Sequence, residues 1–246
     1  QGQVYSSCRH EYKVIVEGSE HIEAWRVVDG FFVDNDDKVI SACRNMIQNE
    51  EKALPYAGAA WPLNLNHTVP GRVFCFLPVP IQTNIPIQIN GYFDLDDSRQ
   101  SMFLDPSSHG SAGNRVEWNK ALLENSVAQA YIRLLEELRT DIETDCVDMY
   151  YCAFPKVVDN DRSWEGWLAN SFYRQASLAP LFRVSGATIW SNLSSSRSLP
   201  EELLLVGEAL IADEFLPILD PPLPEHIITG FKNNQINVPM LTPQDL

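Results

Sequence analysis

The chain has 246 residues, of which 45% are hydrophobic and 21% are charged, and its formal net charge is −15. This composition is typical of a folded globular protein, and the length is sufficient for one large domain or two smaller ones. Acidic residues spread along the chain repel phosphate groups, which excludes nucleic acid and anionic membranes as expected partners. No apolar run reaches the roughly 20 residues of a membrane-spanning helix, so membrane insertion is not expected.

The first predicted elements are a β-hairpin and a helix. Residues 4–17 and 24–33 have the apolar content and alternation of strands, and residues 18–21 suit the turn between them. From Asp36 the apolar period changes to that of an amphipathic helix. Its apolar positions are Val39, Ile40, Cys43, Met46 and Ile47.

Three further strands are predicted in the next 40 residues. Residues 59–65 and 73–77 are apolar, and a proline-rich turn follows the second of them. Because Pro78 and Pro80 cannot donate hydrogen bonds to a sheet, they place the end of that strand at an edge or a bulge. In residues 85–93 three isoleucines alternate with polar residues or proline and should face the core, and Asn90-Gly91 indicates a bulge or a close backbone approach.

The second half of the chain is predicted to be more helical. Residues 105–114 are small and polar and predict a mobile loop. A long helix follows over residues 116–142, with Asn114 as its N-cap. Later segments predict a helix at 164–178, a strand at 187–193, a strand and helix within 201–216, and a short helix at 224–231. The fold class is therefore α/β, with one subdomain over residues 1–113 and a second over 114–246.

The end of the sequence predicts the start of another helix. Thr242 is a suitable N-cap, Pro243 suits the first helical position, and Asp245 lies at the third. We therefore expect the chain to be part of a longer polypeptide.

An ordered series of short motifs resembles the sacsin repeat, a large Hsp90-like chaperone module. The clearest part covers about residues 59–135. The matching segments are Gly71-Arg-Val-Phe-Cys-Phe-Leu-Pro78, Thr83-Asn-Ile-Pro86, Asn90-Gly-Tyr-Phe93, Arg99, Arg115-Val-Glu-Trp-Asn119, Leu122-Leu123 and Leu241-Thr-Pro243.

The resemblance implies a fold and a function. It implies a sheet with packed helices like that of the Hsp90 middle domain, followed by a more helical part, in a segment that comes after an ATP-binding domain. The chain itself has no Gly-rich phosphate cradle in its sequence, so ATP is expected in the preceding domain and not here. The implied partners are that ATP-binding domain and protein clients or co-chaperones. The alternative is a scaffold or protein-interaction module that does not depend on nucleotide.

Arg99 is the candidate functional residue. The resemblance implies an arginine here that reaches the terminal phosphate of the nucleotide, and a guanidinium suits that role because it stays charged and offers several donors. The family often has two adjacent arginines, whereas this chain has Gln100 at the second position. The alternative for Arg99 is an ion pair with Asp96 or Asp97. In either case the isolated chain is not expected to be an enzyme.

The remaining polar residues do not predict a metal or hydrolase site. Asp94, Asp96 and Asp97 lack the glycine and spacing of a calcium loop. The histidines are far apart in the sequence, and no Gly-x-Ser-x-Gly motif occurs. We expect Trp118, Trp164 and Trp167 to belong to the core and not to an exposed client surface.

The cysteines predict a reducing environment. Their number, five, is odd and they include no Cys-x-x-Cys pair, which argues against a disulfide framework and against a zinc site. Cys43 and Cys75 lie in apolar patterns and should behave as small core residues. No signal peptide is visible, so we expect a cytoplasmic location.

Overall fold

A mixed sheet of six strands forms the first half of the fold. The computed structural model describes residues 4–16, 19–32, 38–63, 69–105, 107–142, 146–156, 163–185, 189–200 and 217–242. The strands are β1 (Val4–Val16), β2 (Ser19–Phe31), β3 (Tyr56–Pro62), β4 (Arg72–Cys75), β5 (Leu77–Gln82) and β6 (Gln88–Gly91). Their order across the sheet is β1-β2-β3-β6-β4-β5, and all neighbours are antiparallel except β4 and β6. The predicted α/β class is confirmed.

Helices account for most of the second half. They are α1 (Lys38–Gln48), α2 (Ser111–Ala121), α3 (Ala128–Asp141), α4 (Val147–Cys152), α5 (Trp164–Ala176) and α6 (Glu225–Asn233). A π-helical segment, Leu122–Val127, joins α2 to α3, and a 3₁₀ turn lies at Leu193–Ser195. Two short antiparallel strands, β7 (Phe182–Val184) and β8 (Ile189–Ser191), form a second sheet.

The predicted hairpin is present and is longer than its sequence pattern suggested. Val16 pairs with Ser19, so strand pairing extends into the predicted turn. The hairpin packs one face against α3, where the Arg26 guanidinium donates two hydrogen bonds of 2.6 Å to the Asp141 carboxylate. Period-two alternation explains this arrangement, because Val28 is fully buried while Val27, on the other face, is only partly buried.

The predicted strand 73–77 and the turn after it are corrected by the structure. Phe76 has a φ of 59°, which interrupts the strand and turns the chain back on itself. The proline-rich segment then forms β5 instead of a turn, with Phe74 opposite Pro78. The strand before the prolines, β4, lies inside the sheet between β6 and β5, and the edge is formed by β5, which contains the prolines. Their missing N–H groups suit this edge position.

The segment 85–93 faces the core as predicted, but only part of it is a strand. Ile85, Ile87 and Ile89 are fully buried, whereas regular pairing covers Gln88–Gly91 alone. The close approach predicted at Gly91 is confirmed, since a Cβ atom there would lie 2.9 Å from the Phe93 ring. The isoleucines thus pack correctly without continuous sheet pairing.

The long helix starts earlier than predicted. It begins at Ser111 with Gly110 as its N-cap, so Asn114 lies inside the helix and the predicted N-cap was wrong. Helical structure continues through the π-helical segment to Asp141. The helices predicted at 164–178 and 224–231 are confirmed as α5, which Ser163 caps by accepting a hydrogen bond from Gly166 N, and as α6.

One hydrophobic cluster includes residues from both predicted subdomains. Val28 and Ile89 of the sheet belong to the same buried cluster as Leu134, Phe172 and Phe231 of the helices. The division at residue 113 stays a prediction. The predicted elements within 201–216 and the helix start at 243–245 lie outside the described residues. In the described part of the chain, every helix is too short or too polar to cross a bilayer.

Candidate functional site

The candidate site is a loop between β6 and α2 that is closed by an isolated bridge between Leu95 and Met102. Asp96 organises its turn. One oxygen of Asp96 accepts hydrogen bonds from the backbone N–H groups of Gln100 (2.8 Å) and Ser101 (3.3 Å), and the other accepts from the Ser98 and Ser101 hydroxyls, each at 3.0 Å. These bonds favour the ionised form, so the Gln100 N–H first, and then the serines, lower the pKa of Asp96. Asp96 is therefore the residue that shapes the Arg99 turn.

Arg99 lies at the tip of this turn, with an exposed side chain and a φ of 56°. Its Nη2 donates a hydrogen bond of 3.1 Å to the Cys75 carbonyl oxygen, next to the Phe76 turn. The alternative ion pair with Asp96 or Asp97 is not formed; the only Arg99 contact to Asp96 is from backbone N–H to carbonyl, at 2.9 Å. The guanidinium has five N–H donors, so this bond leaves most of its donor capacity for another group.

Asp94, which precedes the turn, is held by Arg115 of α2. Arg115 Nε and Nη2 donate to the two Asp94 oxygens at 2.8 and 2.5 Å, in a bidentate ion pair. The guanidinium also lies 3.9 Å from the centre of the Phe103 ring. The Asp94 hydrogen bonds raise the pKa of Arg115, against the opposing effect of burial. Asp94 is thus held in a structural ion pair at the start of the turn.

Trp118 and Asn119 fix the same loop to α2. Trp118 Nε1 donates to the Tyr92 carbonyl at 2.9 Å. Asn119 accepts from the Asp94 N–H at 2.8 Å and donates to the carbonyls of Asp94 (2.8 Å) and Phe103 (3.1 Å). Both side chains are fully buried. The motif from Arg115 to Asn119 therefore holds both ends of the loop that carries Arg99.

Two other motifs also have a structural role here. Asn90 Oδ1 accepts a hydrogen bond of 3.0 Å from the Phe76 N–H and so stabilises the turn at Phe76. The residue before this turn, Cys75, is the one whose carbonyl oxygen accepts the hydrogen bond from Arg99. At Gly71 a Cβ atom would lie 1.9 Å from the Ile85 carbonyl oxygen, so only glycine fits. The Asn90 motif therefore joins the motifs of Arg99 and of Arg115 to Asn119 around one loop, whereas Gly71 packs against Ile85.

An open cleft of about 540 Å³ lies beside Arg99. Its polar lining includes two cations, Arg99 and Lys52, and three carboxylates, Glu50, Glu51 and Asp94. Asp94 is already paired with Arg115. Within the described residues Glu50 and Glu51 form no ion pair, so the cleft has two cations and two further carboxylates, and this balance does not suit a site that encloses a whole nucleotide. Around this cleft, the ATP-contacting role predicted for Arg99 has the necessary donors and stays a prediction.

Metal-binding geometry is absent from the part of the chain that the structure describes. No three His, Cys, Asp or Glu side chains come together there in a way that could hold a metal ion. The described cysteines are all unpaired thiols, and Cys75 is buried while Cys43 is partly buried. Burial raises the pKa values of both thiols.

The exposed aromatic residues of the sheet were not predicted from the sequence. Trp118 and Trp167 are buried, as expected, and Trp164 is partly buried. Exposed rings of the sheet include Tyr12, Phe31 and Phe76, with exposed fractions of 52%, 43% and 55%. Trp25, Val27 and Phe31 lie at alternate positions of β2, interrupted only by Asp29, and were the signal for this second face.

Comparisons with known proteins give a partial match. The chain is 31% identical to human sacsin over 130 residues, which is 52% of this chain and 3% of the length of sacsin. No protein-family model matches the chain. No solved structure matches it.

Proposed function

Because the chain contains a region related to sacsin, we propose that it is the part of a sacsin-like chaperone repeat that couples an adjacent Hsp90-like ATP-binding domain to client or inter-repeat contacts. In this role Arg99 contacts the terminal phosphate of ATP held by the preceding domain. In this proposal the nucleotide pocket lies in the preceding domain, and hydrolysis of ATP requires both parts. A cytoplasmic location is part of the proposal.

The observation that supports this function best is the rigid support of the Arg99 loop. Asp96 closes the turn, and Arg115 and Asn119 of α2 hold the residues on either side of it. A charged donor on a pre-organised loop stabilises developing charge without reorganisation, which is the property required for phosphoryl transfer. α2 leads through the π-helical segment into α3, and α3 packs against both the sheet and α5, which gives the loop a continuous connection to both.

The second candidate is a scaffold that does not depend on nucleotide. Gln100 supports it, because it stands where the family often has a second arginine. The bond from Arg99 to the Cys75 carbonyl also gives this arginine a structural use. In this candidate the loop serves only to connect β6 to α2.

ATP turnover separates the two candidates. The chain is joined to its own preceding ATP-binding domain, and the rate is measured for the wild type, for Arg99→Ala and for Arg9→Ala. Arg9 is the matched control because its exposed guanidinium pairs only locally, with Glu11 at 3.1 Å. We expect Arg99→Ala to lower the turnover rate roughly 100-fold, since it removes one charged donor from the transition state. Equal rates for the three proteins would support the scaffold.

A further inference from the structure

The face of the sheet that lies away from α3 carries an apolar groove. Successive strand side chains point to opposite faces, and the face against the helices is filled by residues such as Val28, Ala59 and Ile89, which are at most 3% exposed. Their neighbours Val27 and Ala60 therefore point to the opposite, open face. In the described residues, no helix packs over this face.

The groove exists because β3 has small residues at its centre. Gly58 and Ala60 form a low floor between larger side chains of the neighbouring strands. Trp25 of β2 and Phe74 of β4 are among the walls, and the volume is about 420 Å³. This shape can accommodate the side chains of a strand-like segment lying on the sheet.

A row of aromatic rings continues the groove along one end of the strands. The ring centres of Phe31, Tyr56, Phe76 and Tyr92 follow one another at 5.9, 5.6 and 5.8 Å. Phe31 and Phe76 are largely exposed. Contiguous exposed apolar surface of this kind marks interaction sites, and its extent beyond the groove favours a polypeptide over a compact small molecule.

Charge distinguishes the two sides of the groove. Asp29 of β2 lines one side and accepts a hydrogen bond of 3.0 Å from the Ser6 hydroxyl, but no cationic side chain of the described residues lies within ion-pair distance of it. Arg72 lines the other side, on β4, three strands away in the sheet. Burial, and then the charge of Asp29, raise the pKa of Tyr56, which places the carboxylate close enough to this ring to act on it.

We propose that the groove binds an extended segment of a partner protein through one Lys or Arg side chain that reaches Asp29, with its apolar neighbours over Gly58 and Ala60. The carboxylate lacks a cation among the described residues, and the rings of Phe31 and Tyr56 are its aromatic neighbours on this face, which favours a cation further. Arg72 repels a cation from the opposite side. This inference deepens the client contact in the proposed function and rests on it, but it requires no nucleotide.

Binding of two probe peptides to the intact 246-residue chain tests the proposal. The probes are fluorescently labelled acetyl-Gly-Val-Leu-Lys-Leu-Val-Gly amide and the same peptide with Gln in place of Lys. Binding of each probe is measured by fluorescence anisotropy. We expect the Lys peptide to bind the wild type roughly tenfold more tightly than the Gln peptide, and Asp29→Asn to reduce that ratio to about one. Asn keeps the acceptor for Ser6, so the fold should be retained.

Two control variants separate the groove from general acidity. Asp97→Asn removes the same charge from an exposed loop residue that does not line the groove, and it should leave the tenfold ratio unchanged. Ala60→Leu fills the floor without changing charge and should weaken both peptides. Equal affinities of the two peptides for the wild type would overturn the proposal, and so would loss of the ratio in Asp97→Asn. Either outcome leaves the turnover test of Arg99 unaffected, because no ATP is present.

Discussion

At the scale of single residues, the ion pair between Asp94 and Arg115 shows how the candidate site depends on partly buried charge. Its side chains are only 11% and 23% exposed. Arg115→Ala leaves the Asp94 carboxylate without its partner and removes the contact with Phe103. We expect a loss of about 3 kcal/mol in the free energy of unfolding, measured in urea.

The exposed pair of Arg9 and Glu11 is the matched control for that variant. These side chains are 53% and 57% exposed. Solvent screening makes such pairs weak, so Arg9→Ala should cost at most about 1 kcal/mol. Equal losses in the two variants would show that Arg115 does not stabilise the loop.

His226 predicts a pH dependence at the contact between α6 and α4. Its Nε2 lies 3.2 Å from the Tyr151 carbonyl oxygen, and burial, with a smaller contribution from Lys156, lowers the pKa of His226 below 6.5. As the pH falls, His226 therefore binds a proton in the unfolded chain before it does so in the folded chain. The contribution of the neutral His226 side chain to the free energy of unfolding is full above about pH 6.5 and is lost progressively below it.

Urea unfolding between about pH 7.5 and 5.5 tests the direction of this pH dependence. That range lies above the one in which ordinary carboxylates titrate. We expect the free energy of unfolding to fall with acidification in the wild type and to change less in His226→Gln. If the two proteins lose stability in parallel, other groups are responsible.

At the scale of elements, β5 shows what local pattern could predict and what it could not. The prolines were predicted to mark an edge or a bulge at the end of the strand at 73–77, and the structure places them in the edge strand itself. The reversal at Phe76 could not be predicted, because phenylalanine rarely adopts a positive φ. Asn90 supports the turn from a different strand, 14 residues away, through its bond to the Phe76 N–H. The start of α2 was missed for a related reason, since Gly110 replaces a side-chain cap.

The edge position of β5 predicts a role for its prolines in preventing self-association. Pro78 and Pro80 are exposed and leave no N–H groups for a further strand. The double variant Pro78→Thr, Pro80→Thr should increase aggregation in light-scattering measurements, because threonine restores the donors and favours strands. Pro222→Thr, at an exposed site outside the sheet, is the control. Unchanged scattering in the double variant would show that the edge is protected in another way.

At the scale of the whole molecule, the sequence predicted the fold class and the order of the main elements. It also identified the motifs that meet at the Arg99 loop, but not their contacts. Asn119 donates hydrogen bonds to the carbonyls of both Asp94 and Phe103. The period of apolar residues along the sequence cannot show that these three residues lie close together. The groove on the open face could not be predicted because it depends on the small size of Gly58 and Ala60. That size forms a groove only beside the larger residues of neighbouring strands, which the sequence does not place next to them.

The role proposed for the Arg99 loop is to contact a nucleotide held by another domain. Hydrogen exchange of the backbone amides of residues 96–103 measures this directly, with and without a non-hydrolysable ATP analogue. We predict slower exchange with the analogue when the chain is joined to the ATP-binding domain that is proposed to precede it, and no change in the isolated chain. Unchanged exchange in the joined protein, or equal protection in the isolated chain, would contradict the claim.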